Sequence, residues 1–138
     1  MAAVRRPGTD VSLIAYSRMV QVCLEAAEQL AGAGIHAEVI DLRSLRPLDL
    51  EALDRSISKT RHAVLVEETA KGTSIGGDII GLLQEQVFSR LDAPIRWLAG
   101  VAAPMPYNRA LERASIPSAE VVVQETVTLL GGAQRRAA

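Results

Sequence analysis

Cysteine is almost absent from this chain. Cys23 is the only one in 138 residues, so no disulfide can form within the chain and a zinc site made of several thiolates is excluded. A single thiol is typical of a reducing compartment, and we expect the cytoplasm. Aromatic residues make up only 3% of the sequence, so the core has to be built from Ile, Val, Leu and Ala.

The chain also lacks an excess of charge and a long apolar run. Its formal net charge is −1, and without a basic stripe or an acidic block neither nucleic acid nor a membrane surface is an expected partner. No apolar run reaches the roughly 20 residues that a membrane-spanning helix needs. The N-terminal MAAVRRPGTD has no apolar signal core. We therefore expect residues 1–9 to be a leader or a linker remnant, ahead of one domain over residues 10–131.

Short apolar runs alternate with amphipathic helical patterns along that domain. Strands are predicted over residues 11–16, 35–42, 62–68 and 94–100. Helices are predicted over residues 19–30, 50–59, 75–91, 108–114 and 117–130. Alternation of this kind indicates an α/β fold, in which parallel strands are joined by right-handed crossovers and helices cover both faces of the sheet.

Particular residues mark where these helices should begin and end. Ser17 is expected to cap the first helix, and Asp49 the second. The glycine pair Gly131–Gly132 is expected to end the last helix. Residues 132–138 would then form a disordered tail.

Charged residues stand at the carboxyl ends of the predicted strands, where parallel sheets bind ligands and partners. Asp41 and Arg43 lie at the end of the second strand, and Glu67 and Glu68 end the third. Adjacent strand residues point to opposite faces, so Glu67 and Glu68 cannot act together as a general acid and base. Salt bridging or helix capping is the role that we expect for them.

The segment after the third strand is rich in glycine. Backbone N–H groups around Gly72, Gly76 and Gly77 could hold a phosphate, but the spacing matches neither of the usual phosphate-binding motifs. Close packing of a helix start is the favoured interpretation. His36 and His62 have no acid or cysteine at ligand spacing, and no nucleophile motif is present. We therefore predict neither a metal site nor a catalytic residue.

Five motifs, in order along the chain, resemble one family. They are DVSLIAYSRMV, EVIDLRSLRPLD, LVEET with SIGGDI, LDAPIR, and APMPYNRALERASIPS. Together they are similar to the C-terminal domain of the β subunit of 2-oxo acid dehydrogenase E1 components, and MPYNRALE is closest to the pyruvate and acetoin branch. The same domain type forms the C-terminal domain of transketolases and deoxyxylulose phosphate synthases. The resemblance implies a three-layer α/β/α domain with a mostly parallel five-stranded sheet.

The resemblance also implies a role in assembly. In the family, thiamine diphosphate and Mg²⁺ lie between the α subunit and the N-terminal pyrimidine-binding domain of the β subunit, so this chain alone should not bind the cofactor or decarboxylate a 2-oxo acid. Its implied partners are that α subunit or N-terminal domain, a second β domain in a homodimer, and the basic peripheral subunit-binding domain of the E2 acyltransferase. The acid of the LDAP motif, here Asp92, is the implied E2 contact.

Two alternatives stay open. The chain could be half of a split transketolase-like or deoxyxylulose phosphate synthase-like enzyme, in which Arg43 would bind an anionic group of the substrate. It could instead be a stand-alone module that binds a small anion at the rim of the sheet. Asp41, Arg43, Glu67 and Glu68 are therefore candidate substrate or interface residues.

Overall fold

A five-stranded sheet runs through the centre of the protein, in a computed structural model that describes residues 1–104 and 107–137. Its strands are β1 (Ala3–Arg6), β2 (Val11–Ala15), β3 (Ala37–Asp41), β4 (Ala63–Ala70) and β5 (Arg96–Gly100). They lie in the order β1-β3-β2-β4-β5. The last four are parallel, whereas β1 runs antiparallel to β3. The predicted mostly parallel five-stranded sheet is confirmed.

Helices cover both faces of this sheet. They are α1 (Met19–Gly32), α2 (Leu50–Thr60), α3 (Gly76–Val87), α4 (Arg109–Ala114) and α5 (Ala119–Ala137), with a 3-10 turn at Phe88–Arg90 after α3. One face of the sheet packs against α1 and α5, and the other packs against α2 and α3. The three-layer arrangement is therefore as expected. Within the described ranges, no helix is both long and apolar enough to cross a membrane.

Successive side chains of the central strands alternate between two aliphatic cores. Leu13 of β2 and Val66 of β4 face α1 and α5, whereas Ile14 and Leu65 face α2 and α3. Both faces are covered, so the strands are continuous apolar runs, as expected for a parallel sheet. Cys23 lies in the first core, as predicted, and its burial raises the pKa of the thiol to about 12.

The prediction that residues 1–9 lie outside the domain is wrong. Residues Ala3–Arg6 form the edge strand β1, and the backbone N–H of Ala2 donates a hydrogen bond to Asp49 Oδ2 at 2.9 Å. A strand of only four residues with two arginines shows no clear apolar alternation. Its position at a sheet edge allows this, because the side chain of Arg5 stays in solvent.

The prediction that Gly131 and Gly132 end the last helix, with a disordered tail over residues 132–138, is also wrong over residues 132–137, and Ala138 lies outside the described residues. Helix α5 continues through both glycines to Ala137. A glycine ends a helix by adopting a positive φ, as Gly34 does after α1 at +79°, and neither of these two adopts one. A glycine inside a helix costs only about 1 kcal/mol relative to alanine, so flanking helix formers can carry the helix past it.

Of the two predicted helix caps, one is confirmed and one is wrong. Asp49 Oδ1 accepts a hydrogen bond from the backbone N–H of Ala52 at 3.1 Å, and this bond lowers the pKa of Asp49. Ser17 does not cap α1, because it adopts a left-handed conformation with φ of 54° and Arg18 takes the capping position. Ser17 instead turns the chain between the end of β2 and the helix.

The close approach of Gly8 to β3 generates a prediction about stability. A Cβ at Gly8 would overlap the backbone of Ala37 and Glu38, which cannot move without distorting the sheet. Gly8→Ala should therefore lower the free energy of unfolding by about 1–3 kcal/mol. Gly32→Ala is the matched control, because its Cβ would meet nothing within 4 Å. It should raise stability by about 0.5–1 kcal/mol. Equal urea midpoints for the two variants would contradict the predicted overlap.

Candidate functional site

The carboxyl ends of β2 and β4 flank the position in the sheet where a ligand is expected. From β2 the chain crosses to β3 on one side, and from β3 it returns to β4 on the other side of β2. In open parallel sheets this reversal opens a crevice beyond the strand ends, and ligands bind there. Tyr16 follows β2, and Glu67 lies in β4, at the two sides of this switch-point crevice.

The switch-point crevice is filled by the chain's own side chains. Glu67 is fully buried, and its Oε2 accepts a hydrogen bond from the Tyr16 hydroxyl at 2.9 Å. Its Oε1 accepts from Ser74 Oγ at 2.7 Å and from Trp97 Nε1 at 2.6 Å. A buried carboxylate without donors would cost several kcal/mol. Three donors from three parts of the chain offset that cost.

Gly76 completes this arrangement by leaving room for the carboxylate. It is the first residue of α3, and a Cβ there would overlap Oε1 of Glu67. The positive end of the helix dipole favours a carboxylate in this position. The predicted close packing at Gly76 is confirmed, whereas a Cβ on Gly77 would make only an ordinary contact with Trp97. Glu67 already occupies the place that a phosphate at the start of α3 would need.

Glu68 lies on the opposite face of the sheet, as the alternation of strand side chains predicts. Its carboxylate is 3.9 Å from Arg18 Nε, and Arg18 Nη1 is 3.4 Å from Glu112 Oε1 in α4. Arg18 therefore links the end of β4 to α4. These groups are partly exposed, so each ion pair is worth about 0–1 kcal/mol. The expected salt-bridging role of Glu68 is confirmed, and the two glutamates do not form a catalytic pair.

Asp41 and Arg43 form a tight turn at the end of β3. The backbone N–H of Arg43 donates to Asp41 Oδ1 at 3.1 Å, and Arg43 adopts a left-handed conformation with φ of 57°. The side chain of Arg43 is exposed and, among the residues that the structure describes, forms no ion pair. The turn thus presents a cationic side chain at the carboxyl edge of the sheet.

Asp92 lies just before the amino end of β5, on the side of the sheet opposite to the carboxyl ends of the strands. Its carboxylate binds Arg61 through two hydrogen bonds, from Nε at 2.9 Å and from Nη2 at 2.6 Å. The backbone N–H of Asp92 also donates to the carbonyl of Arg61 at 3.0 Å. Arg61 holds the pKa of Asp92 below its usual value. The structure does not bring Asp92 together with Asp41, Arg43, Glu67 and Glu68.

A groove of about 380 Å³ runs beside Asp92, and the sequence reasoning did not identify it. It is lined by Gln84, Phe88, Leu91, Asp92, Ala93 and Pro94. The Phe88 side chain is 68% exposed, although aromatic residues are scarce in this chain. From the sequence alone, a phenylalanine at the end of an amphipathic helical pattern cannot be distinguished from a core residue. The distinction requires the position of the helix in the folded structure.

A second surface that the sequence reasoning missed is the segment 101–115, which we call the rim excursion. It leaves the carboxyl end of β5 and returns where the Ser115 carbonyl accepts a hydrogen bond from the N–H of Val101 at 2.9 Å. Met105 and Pro106 lie outside the described residues. Val101, Tyr107 and Leu111 are exposed apolar side chains on this segment. The proline-rich APMPY sequence predicted a loop there, but not its exposed apolar residues.

The described residues do not fit thiamine diphosphate with Mg²⁺. Within the described part of the chain, no three His, Cys, Asp or Glu side chains lie close enough together to hold a metal ion. Glu67 fills the switch-point crevice and would repel a diphosphate there.

Known proteins similar to this chain were found by sequence and by structure. Residues 1–122 match the family described as "Transketolase, C-terminal domain". The β subunit of the mitochondrial pyruvate dehydrogenase E1 component of Drosophila melanogaster is 44% identical over 138 residues, which cover 99% of this chain and 38% of that protein. The β subunit of acetoin:2,6-dichlorophenolindophenol oxidoreductase of Bacillus subtilis is 40% identical, over 94% of this chain and 38% of that protein.

A solved structure titled "Split gene transketolase, inactive beta4 tetramer" has a TM-score of 0.79 and 28% identity to this chain. The match covers 95% of this chain and 42% of that one. The chain therefore spans about 38% of the length of these two curated relatives and 42% of this structural neighbour.

The hydrogen bond between Tyr16 and Glu67 generates a prediction about pH. Burial, followed by the bond to Glu67, raises the pKa of Tyr16 from 10.0 to about 12. The unfolded chain therefore loses this proton first as the pH rises. The stability that depends on the protonated Tyr16 is complete below the unfolded pKa of about 10 and is lost as the pH approaches 12.

Urea unfolding between pH 9 and pH 12 measures this effect. The free energy of unfolding should fall more steeply with pH in the wild type than in Tyr16→Phe, which cannot ionise there. The buried Cys23 thiol contributes equally to both proteins, so the difference in slope isolates Tyr16. Parallel pH profiles would show that Tyr16 is not held in its protonated form by the fold.

Proposed function

This chain belongs to the transketolase C-terminal domain family, and from that premise we propose that it is the C-terminal assembly domain of a thiamine diphosphate-dependent 2-oxo acid dehydrogenase E1 β subunit. The parent reaction is then oxidative decarboxylation of a 2-oxo acid with acyl transfer to lipoyl-E2. Identities of 40–46% to β subunits of pyruvate and acetoin enzymes support this choice. The domain supplies contacts, while the α subunit and the N-terminal pyrimidine-binding domain supply the cofactor site.

The exposed apolar side chains of the rim excursion carry this proposal. Tyr107 is fully exposed, Leu111 is 58% exposed, and Val101 is also exposed, all within one segment of 15 residues. Single exposed apolar residues are common on soluble proteins, but a group of them on one surface segment is typical of an interaction site. Tyrosine in particular is enriched in the cores of protein interfaces.

Helix α4, within the rim excursion, is also held in place before any partner binds. Arg18 joins Glu112 of α4 to Glu68 of β4, and Asn108 caps α4 by accepting a hydrogen bond from Ala110 N–H at 2.9 Å. A surface that is ordered in advance loses less conformational entropy on binding. Since the switch-point crevice beside it is closed, this edge of the domain suits a protein partner better than a small anion.

The assembly role predicts that Leu111→Ser weakens association with the α subunit. The lost apolar contact should raise the dissociation constant about tenfold or more, as for a residue in an interface core. Calorimetry against an E1 α subunit co-expressed with the N-terminal pyrimidine-binding domain measures it. The free energy of unfolding of the chain itself should change by less than about 0.5 kcal/mol, because the side chain is exposed.

Val127→Ser is the matched control. Val127 is 46% exposed and lies on α5, outside the rim excursion. It should leave the dissociation constant unchanged. Equal weakening by the two variants would remove the rim excursion from the interface, and the absence of any association in the wild type would overturn the assembly role.

E2 docking at Asp92 is the second part of the proposal. The carboxylate of Asp92 is partly exposed and stands beside the groove that contains Phe88. A basic partner domain would meet an acid that is already paired with Arg61, so it has to share or displace that arginine. The two variants of this pair are therefore expected to act in opposite directions on docking.

Asp92→Ala should weaken binding of an E2 peripheral subunit-binding domain. It removes the acid and leaves the Arg61 charge to repel a basic partner, at a cost of about 2–5 kcal/mol if the contact is desolvated and less at a wet rim. Arg61→Gln should strengthen binding, because it frees the carboxylate. Calorimetry of both variants decides: equal weakening would show that the pair acts only as an internal link between α2 and β5.

The structural likeness to a split gene transketolase supports a second candidate, in which the chain is half of a divided transketolase-like enzyme. Arg43 would then face the substrate from the turn after β3. The 28% identity of that neighbour is lower than the 40–46% identity of the E1 β subunits, which places this candidate second. Reconstitution with a separately encoded N-terminal half, followed by a transketolase assay, separates the two.

A further inference from the structure

Glu67 joins four parts of the structure through one carboxylate. Its donors are Tyr16 after β2, Ser74 in the connection between β4 and α3, and Trp97 in β5, while Glu67 itself lies in β4. We call residues 71–75 the rim loop. Ser74 and Trp97 share the same oxygen, Oε1, so the rim loop and the edge strand β5 are fixed relative to each other through Glu67.

The rim loop has few other anchors. Residues 71–73 are exposed, and both hydrogen bonds of Thr73 go to the carbonyl of Ala70, only three residues earlier. The ammonium group of Lys71 lies 5.1 Å from the centroid of the Trp97 ring, whose N–H is itself bound to Glu67. Ile75, the last residue of the rim loop, also packs against the core that faces α2 and α3. Apart from the bonds to Ala70, the polar contacts that join residues 71–74 to the sheet run through Glu67 or through the tryptophan that Glu67 holds.

We propose that Glu67 is a positioning residue. Its carboxylate acts as an internal ligand of the switch-point crevice. It fixes the rim loop and the start of α3 in the arrangement that the partner subunit contacts. This inference rests on the assembly role proposed above. Its basis is the convergence of three donors on one buried carboxylate, together with a glycine that leaves the space for it. A role in stability alone does not require one of these donors to come from an exposed loop.

The same geometry makes the three donors a receptor for a carboxylate. In Glu67→Ala the donors of Tyr16, Ser74 and Trp97 remain, and the removed side chain leaves a cavity between them. Acetate carries the deleted group and should bind in that cavity. Acetamide has nearly the same shape but no charge, and it presents an amide donor to groups that are themselves donors. Its one carbonyl oxygen can still accept from Ser74 and Trp97, so it should bind, but more weakly than acetate.

The test compares Glu67→Ala with and without sodium acetate, using acetamide and sodium chloride at equal ionic strength as controls. Trp97 is the only tryptophan of the chain, so its emission reports this site alone. We expect a shifted Trp97 emission, faster hydrogen exchange in residues 71–75, and an association with the α subunit that is weaker by about fivefold or more. Acetate should reverse all three changes, and acetamide at the same concentration should reverse them only in part.

Two further variants keep the test decisive. Glu67→Gln retains an oxygen that accepts from Ser74 and Trp97, so it should hold the rim loop and most of the association even if Glu67→Ala does not fold. Glu68→Ala removes the neighbouring glutamate on the other face of the sheet. It should leave Trp97 emission and exchange in residues 71–75 unchanged.

Each outcome bears on a separate claim. Wild-type exchange and emission in Glu67→Ala, or an equal response to acetate and acetamide, would overturn the positioning role. A loosened rim loop with unchanged association would show that the partner does not contact this region. Failure of the wild type to bind the α subunit would reject the proposed function, while the exchange and emission data would still decide what Glu67 does.

Discussion

The hydrogen bonds to the buried carboxylate of Glu67 are the constraint on which the carboxyl edge of this domain depends. A carboxylate in an aliphatic interior has to be surrounded by donors, and here they come from Tyr16, Ser74 and Trp97. Their convergence explains why two of the few aromatic residues stand at this edge and why Gly76 begins α3. It also closes the crevice where open α/β sheets usually bind small molecules.

The sheet offers different surfaces to other proteins at the carboxyl ends of its parallel strands, called here the carboxyl edge, and at their amino ends, called the opposite edge. The carboxyl edge has a filled crevice, the exposed rim excursion and an arginine turn at Arg43, whereas the opposite edge has the Asp92–Arg61 pair and the groove at Phe88. In the proposed function these edges face different partners, the subunits that carry the cofactor and the acyltransferase. In that proposed role the domain connects two partners, and the filled crevice is consistent with it.

Sequence periodicity predicts the layers of this fold but not the side-chain clusters. Buried parallel strands and amphipathic helices have a local signal, so the α/β class and nearly every element were predictable. Strand β1 is too short for such a signal, because its conformation depends on pairing with β3. The same limit applies to Glu67 and to the Asp92–Arg61 pair, whose partners are far away along the chain. The end of α5 depends on the φ angles of two glycines, which residue type alone does not determine.

The short edge strand also affects how this domain behaves among copies of itself. Without β1, the buried strand β3 would present a row of unpaired backbone groups to any other exposed strand. β1 covers that row, and its own outer side is a poor template, because its register shifts between Val4 and Arg6 and it carries Arg5 and Arg6. Four residues thus protect the sheet from edge-to-edge aggregation, which matters most for a newly synthesised chain at high local concentration.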